Sequence, residues 1–456
     1  MGRKDAVRRL YILGVCAVMV IVNVALIFYV LNHVYNLGFR TQLYLRGHIF
    51  VLAFYTGVFL FLGNVFGGLL VGFRRTGEVI FSCLFTIIFS SVFFYLITAM
   101  LSYRFPTPLP LLAAVAGQMI FSFAWISVTG EVFRKIFKPY DVLLVFRGNS
   151  IRGFIEKLST RRDQFNVVGK ISTEEGLDRV YSMIDKHDTV MLWDIPGVQR
   201  NKIFKYCYKN SKRIYVMPKI SDIILTGSEP VHLFDTPLLL IEGSPLQYEE
   251  RVIKRLMDIV LSLVLIVLTS PIMLVTAAAI KLSDSGPVFY RQVRCTKGKK
   301  EFKICKFRSM VVDAESKGVA VLASVDDPRI TPVGRVIRSL RIDELPQLFN
   351  VLKGDMSFVG PRPERPEFIK KYEETMPEFE YRMKIRSGIT GYAQLYGKYN
   401  TLPYDKLKLD LYYIEQYSLW LDIKLMILTC KILFTKESTE GTKQRISAAK
   451  EPGDGA

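Results

Sequence analysis

The chain has 456 residues, 50% of them hydrophobic, a formal net charge of +19 and a mean hydropathy of +0.24. A soluble nucleic-acid binder would be basic without long apolar runs. This chain has both, which argues against nucleic acid and for a membrane protein facing anionic headgroups or anionic substrates. Six scattered cysteines without a CxxC, and four widely spaced histidines, offer no disulfide framework and no structural zinc site.

Four apolar stretches come first, at 10–31, 47–72, 78–102 and 107–133, each reaching the roughly 20 residues that a helix needs to cross a bilayer. The first follows Arg3, Lys4, Arg8 and Arg9. It is longer than a signal-peptide core of about 7–15 residues and lacks the small-residue cleavage site, so it reads as a retained anchor. Arg74 and Arg75 fill the second loop, and Arg134, Lys135 and Lys138 follow the fourth stretch. The positive-inside rule then puts the N-terminus, the second loop and the C-terminal bulk in the cytoplasm, with Arg40 and Arg46 of the first loop as the exceptions. No charge sits mid-helix, whereas transporters usually carry an intramembrane polar group. Residues 1–138 therefore read as an anchoring bundle of four transmembrane helices.

From Asp141 the pattern changes. "DVLLVF" (141–146), "NVVGKI" (166–171), "TVMLWD" (189–194) and "RIYVMP" (213–218) look like buried parallel strands, with helices near 150–160, 175–187 and 198–210 between them. This is a βαβ series, which predicts a doubly wound sheet over 139–245. A dinucleotide site would show GxGxxG after the first strand. "RGNSIRG" supplies only Gly148 and Gly153 at the wrong spacing, so the domain reads as a degenerate Rossmann-like scaffold or regulatory unit.

The segment 256–281, "LMDIVLSLVLIVLTSPIMLVTAAAIK", is long enough to span, yet both flanks are strongly basic: Arg251, Lys254 and Arg255 before it, and a run from Lys281 to Arg308 after it. One flank would lie outside if it crossed. Ser270-Pro271 sits near its middle, where proline removes a backbone donor and the serine hydroxyl can satisfy a freed carbonyl. These facts predict a helix–break–helix that re-enters one leaflet over about 256–280.

Beyond it, "GPVFYRQVRCTKGKKEFKICKFRSM" (286–310) alternates apolar residues with cations, as a membrane-surface hairpin or a phosphate cradle would, and one strip can be both. "TPVGRVIRSLR" reads as a basic helix. "DELPQLFNVLKG" reads as a second helix, with Asp343 at its N-cap, Glu344 and Pro346 in its first turn and Gly354 past its end. The adjacent carboxylates are either a simple cap or two separate tools, a nucleophile and a cation ligand; as helix neighbours they point apart and need not share a proton. At a helix N-terminus Asp343 is expected to stay ionised. "GDMSFVGPRP" (354–363) flanks Arg362 with prolines, either a bare turn or a rigid mount for a guanidinium.

Taken together, "KRLMDIVLSLVLIVLTSP", "GPVFYRQVR", "FKICKFRSM", "RIDELPQLFNVLKGDMSFVGPRP", "SGITGYAQLYG" and "LDLYYIEQYSLWLDIKLMILT" make residues 250–436 resemble the bacterial sugar transferases, the polyprenyl-phosphate glycosyl-1-phosphate transferases. The whole layout resembles the large members that initiate exopolysaccharide, capsule or O-antigen synthesis. The resemblance implies a membrane protein of three parts: a four-helix transmembrane bundle, an α/β Rossmann-like middle domain, and a C-terminal α/β catalytic domain with a re-entrant helix hairpin. It implies transfer of sugar-1-phosphate from a UDP-sugar to undecaprenyl phosphate, with release of UMP, at the cytoplasmic face of a bacterial inner membrane. Asp343 would be the nucleophile, forming a phosphosugar-aspartyl intermediate, and Glu344 would bind Mg²⁺. A carboxylate repels a diphosphate, so it needs cations, and Lys306, Arg308 and Arg362 are candidates to bind the substrate phosphates. Arg386 falls at a family motif position as a further phosphate contact, and Asp410 as a metal ligand or orienting group. Ser387 stands where the family often has proline, and Cys295 where glycine is common. Membrane lipids are the implied surroundings, and the long anchored layout is compatible with a homodimer.

The segments 404–417 and 419–434 suit amphipathic helices lying in the interface, and 437–456 reads as a disordered tail. A reading from another class is a non-catalytic membrane scaffold for polysaccharide assembly, with the acidic pair as a cap. An exporter or polymerase is disfavoured by the uncharged interiors of the four spans.

Overall fold

A computed structural model describes residues 3–39, 42–148, 151–283, 286–312, 327–397 and 401–433; the expected tail at 437–456 lies outside them. The chain forms two compact units, Met1–Pro218 and Lys219–Ala456.

The first unit opens with α1 (Arg3–Val30), α2 (Leu45–Phe66), α3 (Thr76–Ser102) and α4 (Leu109–Ile136), each long and apolar enough to cross a membrane. Met19, Ile27, Phe59, Ile87 and Ile126 are buried where these helices meet. Lipid tails are as apolar as the side chains, so helix association there draws on close packing and interhelical hydrogen bonds. Gln118 Nε2 donates to Asn23 O (2.8 Å) and to the Tyr55 hydroxyl (2.9 Å), and Asn23 Nδ2 donates to Ser122 Oγ (3.3 Å). The sequence reading looked for charges and passed over these neutral amides.

A parallel sheet follows, with strand order β2-β1-β3-β4. Its strands are β1 (Tyr140–Phe146), β2 (Phe165–Ser172), β3 (Thr189–Trp193) and β4 (Arg213–Val216), connected by α5 (Ile151–Ser159), α6 (Leu177–Asp185) and α7 (Gly197–Lys209). Val142 to Val145 are fully buried because both faces of central β1 are covered. Leu143 and Val145 pack with α6 and α7, and Val142 and Leu144 with α5. An unbroken apolar run is the signature of such a strand.

The second unit begins earlier than the motifs suggest. Ile220 and Ile223 of α8 (Ile220–Leu225), with Leu246, join the C-terminal core instead of the sheet with which the sequence reading grouped them. Between them lies the exposed hairpin β5 (Glu229–Leu233) and β6 (Thr236–Leu240). Then come α9 (Tyr248–Ser283) and the antiparallel pair β7 (Phe289–Cys295) and β8 (Glu301–Phe307), followed by α10 (Pro332–Ser339) and α11 (Gln347–Lys353). The chain continues through β9 (Ser357–Val359), α12 (Pro366–Thr375) and β10 (Gly388–Thr390), which pairs parallel with β9. It closes with α13 (Tyr392–Tyr396), α14 (Pro403–Glu415) and α15 (Leu419–Leu433). Leu407, Leu411, Tyr413 and Ile414 are buried, so α14 is a core helix; its polar positions misled the interfacial reading.

α9 is helical throughout its 36 residues. Instead of a broken helix, Pro271 costs one backbone hydrogen bond, and Ser270 Oγ donates to the Val267 carbonyl (2.8 Å) that the missing N–H would have served. Both ends of α9 are fastened to the same domain. Near its start Lys254 Nζ donates to buried Asp422 Oδ2 (2.5 Å), Arg255 donates to the carbonyls of Val351 (2.6 Å) and Leu352 (2.7 Å), and Asp258 Oδ1 accepts from Ser357 Oγ and Phe358 N, each at 3.0 Å. Toward its end Met273 and Ile280 pack with Phe307 and Ile337. Val267 and Leu268 between the two attachments, and Leu274 and Val275 just past Met273, are 67–72% exposed.

Removing one member of a buried ion pair strands the other charge, at about 3–5 kcal/mol, whereas replacing both with apolar groups of similar volume is often close to neutral. Lys254→Met should therefore lower unfolding stability by about 3 kcal/mol or more in detergent, and Lys254→Met with Asp422→Leu by much less. Equal losses from single and double variants would remove this pair as the clasp of α9.

Candidate active site

The acidic pair lies in a short turn between two helices. Thr331 caps α10 by accepting from Gly334 N (2.9 Å). α10 ends at Ser339, and Arg341 takes a left-handed backbone (φ 54°), which reverses the chain into a single 3-10 turn, Ile342–Glu344. α11 starts only after Pro346 and has no side-chain cap. Asp343 is thus not the N-cap, because Pro346 sets the helix start three residues later. The other end is as expected: Gly354 (φ 95°) donates to the carbonyls of Asn350 (3.1 Å) and Val351 (3.0 Å).

Three elements bring cations to Glu344. Lys306 of β8 and Arg362 of the turn after β9 both donate to its Oε1, at 3.0 and 3.1 Å, and Arg341 lies 3.8 Å from its Oε2. The Glu344 side chain is 14% exposed, while Arg362 is 45% exposed at the mouth of the site. The Arg362 turn is fixed by Gly360 N to Thr390 O and by Gly388 N to Pro361 O, both 2.9 Å. A Cβ on Gly360 would collide with the Arg386 carbonyl, so this close backbone approach requires glycine. Arg382 Nη2 donates to the Arg362 carbonyl (3.1 Å), and Arg382 Nε and Nη2 reach Asp410 Oδ2 at 2.9 and 2.7 Å.

This environment drives the two carboxyls apart. Asp343 is pushed up to about 6, first by burial and then by the charge of Glu344, against the pull of Lys306, Arg338 and Arg362. For Glu344 burial also acts upward, but Lys306, Arg362 and Arg341 outweigh it and hold the group far below the ordinary carboxylate range. The helix N-terminus expected to keep Asp343 ionised is elsewhere, and burial with Glu344 raises the group, although about 6 still leaves it mostly ionised at neutral pH. Neighbouring carboxyls separated in this way are suited to different roles.

Of the residues proposed from sequence, Asp343, Glu344, Lys306 and Arg362 converge. Arg308 is buried with its guanidinium against Gly286, and it is not among the leading influences on either acid. Arg386 is exposed and contributes its carbonyl to the Gly360 contact. Asp410 is 1% exposed and engaged by Arg382. Arg338 and Arg341 were missed although they lie within six residues of the pair in the same basic stretch. Arg382 gave no local signal, since its partner is 28 residues away.

Among the described residues there is no group of three or more metal-ligating side chains. Magnesium, however, is commonly held by one or two carboxylates together with substrate phosphates. Glu344 Oε2, whose contact among the described residues is Arg341 at 3.8 Å, fits that mode better than Asp410, which is engaged by Arg382. The two departures from the family pattern touch each other: Ser387 Oγ donates to the Cys295 carbonyl (3.0 Å), and Ser387 N, which proline would lack, donates to Thr296 Oγ1 (3.1 Å).

The fold and site define a membrane protein whose C-terminal α/β domain holds two differently titrating carboxyls within a cationic shell. Residues 249–436 match the family model "Bacterial sugar transferase". The chain is 39% identical over 205 residues to an uncharacterized sugar transferase, EpsL, of Bacillus subtilis, covering 98% of that protein and 45% of this one, and it belongs to this family. It is 44% identical over 226 residues (49% of this chain, 52% of the relative) to a UDP-N-acetylgalactosamine-undecaprenyl-phosphate N-acetylgalactosaminephosphotransferase of Aeromonas hydrophila. It is 35% identical over 311 residues (66% and 63%) to a UDP-glucose:undecaprenyl-phosphate glucose-1-phosphate transferase of Klebsiella pneumoniae. The chain thus spans about half to just under two thirds of the length of these last two relatives.

Since the charge of Glu344 helps to raise Asp343, Glu344→Gln should move the Asp343 titration below its wild-type midpoint near 6. Infrared titration of the carboxyl bands checks this; an unchanged or raised midpoint would contradict the electrostatic account.

Proposed function

We propose that this protein transfers sugar-1-phosphate from a UDP-sugar to undecaprenyl phosphate, releasing UMP, at the cytoplasmic face of a bacterial inner membrane. The observation that carries this reading is the arrangement at the acidic pair: Asp343, raised toward neutrality, beside a fully charged Glu344 within reach of Lys306, Arg362 and Arg341. Such a site tolerates an incoming diphosphate, because the cations that neutralise Glu344 can also face phosphate oxygens. The names of the relatives support the donor and acceptor classes, with glucose and N-acetylgalactosamine as the precedents.

In this mechanism an Asp343 carboxylate oxygen attacks the sugar-bearing phosphorus. The bond from that phosphorus to the bridging oxygen breaks, and UMP leaves with the bridging oxygen. An oxygen of the lipid phosphate then attacks the same phosphorus, the bond to Asp343 breaks, and the carboxylate is regenerated. Arg362, exposed on its rigid turn, orients the diphosphate, with Asp410 and Arg382 holding the turn from behind. Lys306 balances Glu344 from the β8 side. Glu344 Oε2 would hold Mg²⁺, which supplies further neutralisation of diphosphate charge when bound.

The acceptor phosphate is carried on a lipid, which gives α9 its purpose. Its two attachments to one domain, its basic flanks and its exposed apolar middle support re-entry into a single leaflet over a full crossing. The four preceding helices support a multi-pass anchor.

Asp343→Asn should reduce UMP release from purified protein, UDP-sugar and undecaprenyl phosphate by roughly a thousandfold or more. Retained release would defeat the nucleophile assignment, and release indifferent to chelation would remove Mg²⁺ from the scheme. The wild-type rate should fall as the pH drops through about 6, because protonation of Asp343 removes the attacking carboxylate. A rate that stays flat to pH 5 would argue that another group attacks.

A further inference from the structure

The catalytic reading leaves unused a cationic cavity within the first unit, where the ends of the apolar helices meet the parallel-sheet domain. It has a volume of about 460 Å³, and Arg74, Arg75, Arg134 and Arg162 line it. Its apolar wall comes from Val71, Val79, Ile126 and Phe133 of the bundle. A second cavity of about 620 Å³ shares Ser159 and Arg162 with it and adds Lys138 and Lys170, as well as Asp141. The cationic surface therefore runs on from the bundle end along the sheet domain.

Three of the four guanidiniums have donors committed to neutral oxygens. Arg75 Nη2 reaches Thr160 O (2.6 Å), Arg134 Nη1 reaches Thr76 Oγ1 (3.0 Å), and Arg74 Nη1 reaches Phe66 O (3.4 Å). Among the described residues none of the four is paired with a carboxylate. The one acid lining the cavity, Asp163, is taken by the neighbouring Arg161 (3.3 Å). The N-terminus of the 27-residue α3 opens into the same space. Thr76 and Gly77 line the cavity, and no side chain caps the helix. An uncapped helix start carries free N–H groups and a partial positive charge, which favour an anion. Four arginines thus share one cavity without a carboxylate partner among the described residues, and arginine is the residue suited to paired contacts with phosphate.

We propose that this cavity is a binding site for a phosphate-bearing anion, met at the membrane surface as the headgroup of an anionic phospholipid, with the acyl chains lying along the apolar wall. A soluble phosphate ester presents the same chemistry. Its lining comes from both the bundle and the sheet domain, so a bound phosphate would add to the contacts, such as Arg75 Nη2 to Thr160 O, that already join them. It is independent of sugar transfer.

The test uses the full chain, purified and delipidated in neutral detergent. The thermal unfolding midpoint is titrated with phosphatidylglycerol, with phosphatidylcholine and with inorganic phosphate. The expected result is a saturable rise with phosphatidylglycerol at concentrations where phosphatidylcholine has no effect. Among the described residues Arg162→Gln forfeits no hydrogen bond, so it should fold normally, and it should weaken the response about fivefold, the factor that about 1 kcal/mol per basic residue at an anionic surface represents. Arg75→Gln, Arg134→Gln and Arg162→Gln combined should abolish it. A rise with inorganic phosphate that the same variants remove would also support the site and name a soluble phosphate as its ligand. An equal response to both lipids, or a phosphatidylglycerol response that Arg162→Gln leaves unchanged, would overturn the proposal.

Discussion

The second unit is organised around one electrostatic constraint: two adjacent carboxyls, Asp343 and Glu344, are drawn largely out of water. Coulomb repulsion between such near neighbours grows as the dielectric falls, so the pair persists only if cations are placed around it. They come from separate parts of the chain. β8 contributes Lys306, the turn after β9 contributes Arg362, and the left-handed residue between α10 and α11 contributes Arg341. The cations favour Glu344, which makes the direct ion pairs, and Asp343 is left as the acid that gives way.

That shell is held in turn by a layer that never meets the pair. Asp410 grips Arg382, and Arg382 grips the backbone of Arg362. Asn350 of α11 accepts from Cys305 N (2.9 Å) and donates to Lys303 O (2.9 Å), which locks the helix after the acidic turn to the strand bearing Lys306. Asp258 reaches from α9 to the start of β9, two residues before Gly360. Side chains fixed in this way lose little freedom when a substrate arrives, which is the physical content of a preorganised site.

Much of this was legible in the sequence because its signals are local. The apolar runs at 141–146 and 189–194 announced buried parallel strands, and β1 and β3 lie there. The Ser270-Pro271 pair announced both a missing donor and its replacement, and the hydroxyl of Ser270 serves the orphaned carbonyl. Lys306 and Arg362 were visible as cations on stiff elements. What escaped depends on contacts distant in sequence. Nothing near Asp410 says that Arg382 will engage it, so a carboxylate at a motif position was read as a metal ligand or an orienting group with no partner named. Nothing near Asp343 says that Pro346, and not the acid, will open the helix. The Ser387 and Cys295 departures looked independent and prove to be one contact.

A helix in a bilayer ordinarily answers a change in membrane thickness by tilting. α9 has little freedom to do so, because Lys254, Arg255 and Asp258 hold one end and the packing of Met273 and Ile280 holds the other. Its exposed apolar face keeps a fixed height and slope relative to Asp343, and the surrounding lipid has to do the adjusting. The mismatch is then a property of the membrane patch beneath the domain, where acyl chains must thin or splay to meet a rigid wedge. A wedge held so rigidly would set the packing of the lipid nearest Asp343 whatever the thickness of the surrounding membrane.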